Sequence, residues 1–421
     1  MRRTTAGVPD RPPLSKNPQA APPGYVPLLG AATLGLYTAL MTPVVLTLAL
    51  RVAEVAPDNK EAVLGLVLGV GAVFALVANP AAGRLSDRTR SRYGRRRPWL
   101  VGGVAGGVLG LAVIALVPSV PALVLGWSLV QTSFNAVYAA LLATIPDQVP
   151  PDGRGRASGA VGAGVTAAVL VGAGIVALVP DLRAQLLLPV VLTVVLVGWF
   201  ARSLRDQRPA DAPQPFSVRE FLTSFVFDPR RHPDFGWAWL TKFLVVFGAV
   251  APMTYLVYYV PFLLDSTPAR TAGTVAGLVA LNFALQALTA FAGGWISDRT
   301  GRRKPFVIAS GLVVATGLAM LAAAPDLTWL AVALAVTGIG GGLFYAVDLA
   351  LITEVLPDPD NPAKDLGVVN IANALPQSLM PMIAPAVLLT GGGDNYTLLF
   401  ALAAASAALG SLLVTRIRSA R

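Results

Sequence analysis

Two charged side chains stand inside long apolar stretches of this sequence, a setting in which charge is costly and usually functional. Lys242 lies in the apolar segment 236–264 and Asp348 in the segment 327–353. If both segments are helices, each residue lies roughly 10–12 Å from its helix midpoint, toward the same end of the bundle. We therefore expect an ion pair whose carboxylate accepts a proton if its partner moves away. A static structural pair is the alternative.

Neutral polar side chains recur at helical spacing in four apolar segments. These stripes are Gln131, Asn135 and Tyr138; Tyr255, Tyr258, Tyr259 and Phe262; Asn282 and Gln286; and Asn370, Asn373 and Gln377. Amides offer paired hydrogen bonds and aromatic rings cover apolar sugar faces, so the first two stripes favour contacts with a neutral, hydroxyl-rich solute. The alternatives are hydrogen bonds between helices for the amides and an aromatic belt at the membrane surface for the tyrosines. The last two stripes favour helix–helix bonding or an inner gate.

Composition excludes several classes of protein. The chain has 421 residues, 55% hydrophobic and 13% charged, whereas soluble proteins carry roughly 25% charged residues. It has no cysteine and one histidine, His232, which excludes disulfides and thiolate sites and argues against zinc or histidine catalysis. There is no GxxxxGK[ST] loop for ATP. We therefore expect no enzyme activity, no cofactor and no metal.

Twelve segments are long and apolar enough to span a membrane. They are 26–50, 62–83, 98–117, 120–145, 157–179, 185–203, 236–264, 271–296, 305–323, 327–353, 367–390 and 394–415. The polar interval 204–235 divides them into two sets of six. We predict an all-α membrane protein with a disordered tail at 1–25, bundles at 26–203 and 236–415, a linker at 204–235 and a short tail at 416–421.

The distribution of basic residues predicts the orientation. Loops on the side of both termini hold 27 of the 32 Lys and Arg residues, and loops on the other side hold four. Because cytoplasmic loops are enriched in Lys and Arg, both termini are expected in the cytoplasm. The net charge of +10 therefore reports topology and not nucleic-acid binding. The preference for Arg over Lys favours a GC-rich bacterial genome, and we therefore expect the inner membrane of a bacterium.

One basic motif occurs twice. GRLSDRTRSRYGRRRP runs from Gly83 to Pro98 and GWISDRTGRRKP from Gly294 to Pro305, each in a loop between two apolar segments. A second pair, IPDQVPPDGRGRASG from Ile145 and LPDPDNPAKDLG from Leu356, follows the fourth and tenth segments. Repetition at half the chain length indicates an internal duplication.

With twelve spans in two related halves, these motifs resemble those of the major facilitator superfamily. The form SDRTRSRYGRRRPW is most similar to the branch of sucrose–proton and glycoside–cation symporters. Ala139 and Thr144 stand where sucrose carriers have a buried Arg and Asp in the fourth helix. The resemblance implies a monomeric secondary active transporter that works by alternating access, with proton-coupled uptake of a sugar or glycoside. Proton-coupled efflux of drugs or metabolites is the alternative.

The resemblance also implies roles for individual residues. Helices one, four, seven and ten would line the central cavity, so Gln131, Asn135, Tyr138, Tyr255, Tyr258 and Tyr259 become candidate substrate contacts. Lys242, Asp348, Asn373 and Gln377 become candidates for proton coupling or gating. A charge latch would close the inner side in the outward-facing state, through Gly83, Asp87, Arg88, Arg95, Arg96, Arg97, Asp298, Arg299 and Arg302. Topology and lipid contact alone are the alternative role for these arginines.

Overall fold

The computed structural model describes residues 22–206, 227–300, 302–357 and 362–418. Within these ranges it contains twelve helices long and apolar enough to cross a membrane. They are α1 (Tyr25–Val55), α2 (Lys60–Arg88), α3 (Arg97–Leu116), α4 (Val120–Gln148), α5 (Arg154–Leu178), α6 (Leu182–Ser203), α7 (Pro233–Leu263), α8 (Pro268–Thr300), α9 (Arg303–Ala322), α10 (Leu327–Glu354), α11 (Pro362–Leu388) and α12 (Tyr396–Leu413). The prediction of an all-α protein of twelve membrane helices is confirmed.

Helices α1–α6 pack as one bundle and α7–α12 as a second, in which the same contacts recur. A Cβ atom on Gly110 of α3 would lie 2.6 Å from the carbonyl oxygen of Gly126 in α4. A Cβ atom on Gly317 of α9 would lie 2.9 Å from the carbonyl oxygen of Ala333 in α10. Small residues allow such close helix packing in lipid. The duplication seen in the motifs therefore extends to the helix interfaces.

The predicted segments were too short at several ends. Helix α2 continues to Arg88 and helix α8 to Thr300, so the first six residues of the first basic motif and the first seven of the second are helical. The loop expected for each motif is therefore shorter than predicted, because the helices continue past the apolar segments that end at residues 83 and 296. Most of the predicted tail (residues 1–21), most of the linker (207–226) and residues 419–421 lie outside the described ranges.

The two bundles meet at one end and separate at the other. We call the end with the α2–α3 and α8–α9 connections the basic face and the other end the opposite face. Near the opposite face, Gly65 of α2 packs against Pro381 of α11. Gly83 lies 18 residues, about five helical turns, further along the same face of α2. Among the described residues, no heavy atom lies within 4 Å of where a Cβ on Gly83 would be, so α2 and α11 are not in contact at this end as they are at Gly65.

Candidate functional site

Lys242 of α7 and Asp348 of α10 form a direct ion pair, with 2.5 Å between Nζ and Oδ2. The two side chains are only 5% and 1% exposed. Both lie toward the basic face, about 14 Å and 9 Å from the helix ends nearest to them. A buried charge is stable only when it is paired and hydrogen-bonded, so the geometry supplies what each charge requires.

The ion pair lies within the second bundle and does not bridge the two bundles. In the first bundle a neutral contact joins α1 to α4, where the Tyr25 hydroxyl and Thr144 Oγ1 lie 2.5 Å apart. Because a bundle that rocks as a rigid body keeps its internal contacts, rocking alone leaves the Lys242–Asp348 pair intact.

Tyr345 of α10 is accessible although its helix neighbours are buried. It lies three residues before Asp348 and is 42% exposed, whereas Phe344 beside it is 1% exposed. Its position is 207 residues beyond Tyr138 of the fourth-helix stripe, so it is the duplicated copy of that residue. Sequence reasoning missed Tyr345, and the offset of 207 residues was the signal that identifies it.

The stripe on α4 lies on a half-buried surface next to α1 and α2. Asn135 Nδ2 lies 2.8 Å from the carbonyl oxygen of Gln131 and 3.2 Å from its Oε1. Tyr138 packs edge-on against Tyr37 of α1, with ring centroids 5.0 Å apart. The three side chains are brought together as the helical spacing predicts, and the amides bond to each other instead of to a neighbouring helix.

The three tyrosines on α7 are buried between helices and do not line a cavity. All three are buried, and their hydroxyls donate to backbone carbonyl oxygens. Tyr255 donates to Pro381, Tyr258 to Ala49 and Tyr259 to Leu321, over 3.0, 2.8 and 3.2 Å. In this conformation the hydroxyls therefore do not face a solute, contrary to our expectation. The alternative, an aromatic belt at the membrane surface, is also wrong, because the three rings are buried. They pack helices together near the opposite face, where apolar burial leaves a backbone acceptor as their partner.

Further contacts close the opposite face across the bundles. The Tyr258–Ala49 bond joins α7 to α1. Lys60 Nζ lies 5.3 Å from the centre of the Tyr258 ring, and the Tyr396 hydroxyl lies 3.5 Å from Glu61 Oε1. Of these residues only Tyr258 was among the sequence-predicted site residues, since nothing in a single sequence pairs positions from different halves.

The two remaining amide stripes behave differently. Asn282 of α8 is buried and donates from Nδ2 to the carbonyl oxygen of Leu334, 2.8 Å away on α10. Gln377 of α11 is exposed and donates from Nε2 to the carbonyl oxygen of Asn373 over 3.1 Å. The first stripe thus bonds helices together, whereas Gln377 in the second bonds only to a residue of its own helix.

The first basic motif centres on Arg96. Its side chain is 4% exposed and donates from Nη1 to Ser86 Oγ over 2.5 Å, from Nη2 to Asp87, and from Nε to Asp147 Oδ2 over 3.1 Å. Arg95 pairs with the other carboxylate oxygen of Asp147. The network joins the ends of α2, α3 and α4 within one bundle. Asp147 was quoted in the sequence motif but was not predicted as part of the latch.

The start of α3 has a second unforeseen acid. The backbone N–H groups of Arg96 and Arg97 donate to Asp206 Oδ2, over 2.7 and 2.8 Å. The Arg97 side chain donates from Nη2 to the carbonyl oxygen of Leu204 over 2.5 Å. A carboxylate at a helix N-terminus accepts hydrogen bonds from free N–H groups and interacts favourably with the positive end of the helix dipole. Arg88 is the last residue of α2.

The second basic motif repeats part of this network. Arg303 Nε lies 2.8 Å from Glu354 Oε1, each residue 207 positions after Arg96 and Asp147. Arg299 stacks over the Trp295 ring at 3.7 Å, and Arg302 directly precedes α9. The side chain of Asp298 lies outside the described part of the chain. Among the described residues, no cluster of His, Asp and Glu has the form of a metal site.

Sequence comparison finds the family across most of the chain. A family model described as Major Facilitator Superfamily matches residues 28–269 and 268–421. The chain is 54% identical over 43 residues to an uncharacterized symporter, sll1374, from Synechocystis sp., which covers 10% of this chain and 8% of that protein. It is 26% identical over 256 residues to the multi-drug resistance efflux pump PmrA of Streptococcus pneumoniae, covering 58% and 59% of the two chains. The matched region thus spans less than two thirds of each curated relative.

Solved transporters share the fold. The nucleoside transporter NupG aligns with a TM-score of 0.72 at 14% identity, over 93% of this chain and 98% of that one. The peptide transporter POT in complex with sulfate aligns with 0.74 at 15%, over 95% and 96%. The xylose transporter XylE from E. coli aligns with 0.67 at 15%, over 93% and 97%. At these identities the likeness concerns the fold alone, but the family model covers both bundles, and this chain belongs to the Major Facilitator Superfamily.

Proposed function

We propose that the chain is a secondary active carrier that moves a small neutral solute together with a proton by alternating access. The observation that carries this proposal is the buried Lys242–Asp348 pair. An acid inside a membrane span is costly, and proton relays are a principal reason for keeping one. Protonation of Asp348 removes its negative charge, so that Lys242 is released from its only carboxylate partner within the described residues.

We further propose that the solute is a sugar or glycoside. Support comes from Gln131, Asn135 and Tyr138 on α4, with Tyr345 as the counterpart of Tyr138 on α10. Amides that bond to each other can exchange those bonds for solute hydroxyls, and accessible rings on both bundles can cover the apolar faces of a sugar. The form of the first basic motif supports the same branch.

We infer that the basic face is cytoplasmic, in the inner membrane of a bacterium. The 27-to-4 distribution of Lys and Arg supports this orientation. In that orientation the structure is closed toward the outside and open toward the cytoplasm. The carrier is expected to act as a monomer.

Efflux of lipophilic drugs is the second candidate. It is supported by the 26% identity to the multi-drug efflux pump PmrA. The two candidates differ in what they require of α4. A sugar carrier needs the Asn135 amide, whereas an exporter of lipophilic compounds tolerates its replacement by an apolar group.

The test uses proteoliposomes that contain a trapped pH dye. Sucrose, maltose, trehalose and glucose are added in turn, and one of them is expected to acidify the lumen. Asn135→Leu is then expected to raise the KM for that sugar about tenfold or more, through loss of hydrogen bonds. Thr132→Val is the matched control, because the Thr132 hydroxyl bonds only within its own helix, to the carbonyl oxygen of Ser128. Silence with every sugar, together with lipophilic-cation transport that survives Asn135→Leu, would establish efflux instead.

A further inference from the structure

A cleft of about 810 Å³ lies on the surface of the first bundle, between α3 and α6 at the basic face. Its apolar walls include Val101, Val195 and Trp199. These are large, exposed side chains, with Trp199 61% exposed. Exposed apolar surface of this extent inside membrane-spanning helices faces lipid. Tryptophan near the end of a span is typical of the interface between lipid chains and headgroups.

Glycines form the floor of the cleft. Gly102 of α3 and Gly198 of α6 both line it, and within the described part of the chain no heavy atom lies within 4 Å of where a Cβ on either would be. Helices α3 and α6 remain in contact with each other. The cleft between them is therefore due to the absence of side chains at Gly102 and Gly198, and not to separation of the helices. A side chain added at either position would therefore start in open space within the cleft.

The basic end of the cleft carries Arg97 and Arg202. Arg97 Nη2 lies 3.4 Å from the carbonyl oxygen of Arg202, which keeps the two residues together. Within the described residues, neither guanidinium has a carboxylate within ion-pair distance. Arg95 and Arg96, by contrast, are neutralised by Asp147 and Asp87. The motif thus pairs two arginines with acids, whereas a third, Arg97, lines the cleft without a carboxylate partner among the described residues.

We propose that this cleft is a binding site for an anionic phospholipid from the leaflet on the basic face. Its phosphate pairs with Arg97 and Arg202, and one acyl chain lies over Gly102 and Gly198. Charge complementarity selects this occupant, since basic pockets between membrane helices on the cytoplasmic side favour anionic headgroups and an apolar trough favours a chain. Arg97 also holds the carbonyl oxygen of Leu204, so the lipid adjoins the network of the first basic motif.

The test measures lipid retention by the purified full-length chain. Native mass spectra are recorded from mixed micelles that hold phosphatidylglycerol and phosphatidylcholine with identical chains. The wild type is expected to retain phosphatidylglycerol selectively. Arg202→Gln should weaken that preference about fivefold, while Gly198→Leu should abolish retention of both lipids. Gly102→Leu tests the same floor independently, and thermal melting checks the fold of every variant.

Two matched controls should behave as wild type. Arg156→Gln removes an exposed charge from the same face, and Gly277→Leu fills an equally open position on α8. Equal retention of the two lipids by the wild type would overturn the proposal. So would phosphatidylglycerol retention that survives both glycine substitutions and is competed away by inorganic phosphate, because that would identify an anion site only. Mass spectra that show a dimer of the chain without bound lipid would overturn it as well.

Discussion

The hydroxyl of Tyr258 donates a 2.8 Å hydrogen bond to the carbonyl oxygen of Ala49, and this bond joins α7 of one bundle to α1 of the other. Tyr258 is 1% exposed, so water does not compete for the bond. Tyr259, the next residue, donates instead to Leu321 within its own bundle. Neighbouring tyrosines with the same chemistry therefore differ in whether they hold the two bundles together.

Tyr258→Phe is expected to weaken closure of the opposite face. A buried hydrogen bond contributes about 1 kcal/mol, which corresponds to an approximately fivefold shift between the two states. The measurement is the distance distribution between spin labels on cysteines at Asp58 and Thr267, in the α1–α2 and α7–α8 connections. The natural chain has no cysteine, so the labels are unique.

Tyr259→Phe is the matched control for that experiment. It removes the same hydroxyl but breaks a bond within one bundle, so the label distances should not change. An equal shift in both variants would show that the Tyr258–Ala49 bond has no special part in closure.

Two glycines on one face of α2 should respond with opposite signs. In Gly65→Ala the new methyl group overlaps the carbonyl oxygen of Pro381, so closure at the opposite face is hindered and the labels move apart. In Gly83→Leu the new side chain starts in open space in this conformation. It obstructs any approach of α11 to α2 at the basic face. The bundles therefore stay closed at the opposite face more often, and the labels at that face stay close together. A shift of the same sign in both variants would contradict alternate closure along α2.

The two copies of the arginine–carboxylate pair should differ in strength. Arg96 is 4% exposed and its partner Asp147 is shared with Arg95, so Asp147→Asn is expected to cost about 1–3 kcal/mol of stability. Glu354 is 37% exposed, so Glu354→Gln should cost less than about 1 kcal/mol. Thermal unfolding in detergent measures both. Equal losses would mean that burial of Arg96 does not set the strength of the network.

Much of the fold could be predicted from the sequence, since long apolar segments and the offset of 207 residues specify helices and their symmetry. The Lys242–Asp348 pair was also foreseeable, because two opposite charges in apolar segments at equal depth have few other partners. Contacts between the two bundles could not be predicted from the sequence. The bond from Tyr258 to a backbone carbonyl of α1 has no sequence signature, and a tyrosine stripe looks the same whether it faces solute or packing.

The acids that complete the basic motif show a second limit. Asp147 and Asp206 lie 51 and 109 or more residues from the arginines they bind. Only the packing of α4 and α6 against α3 brings them near, and their distances along the chain carry no periodic signal. The duplication offers a partial guide, since Glu354 stands at the position equivalent to Asp147.

Asp348→Asn tests the central claim most directly. The variant keeps the shape of the side chain but cannot take up and release a proton. It leaves the buried charge of Lys242 unpaired, so the double variant Asp348→Asn with Lys242→Met is measured beside it to remove that charge. Asp58→Asn, in an exposed loop, is the control. In proteoliposomes with a trapped pH dye, we expect Asp348→Asn to retain solute exchange across the membrane while solute-driven proton movement disappears. Solute-driven acidification at the wild-type rate in Asp348→Asn would contradict the proposed role of this residue in proton coupling.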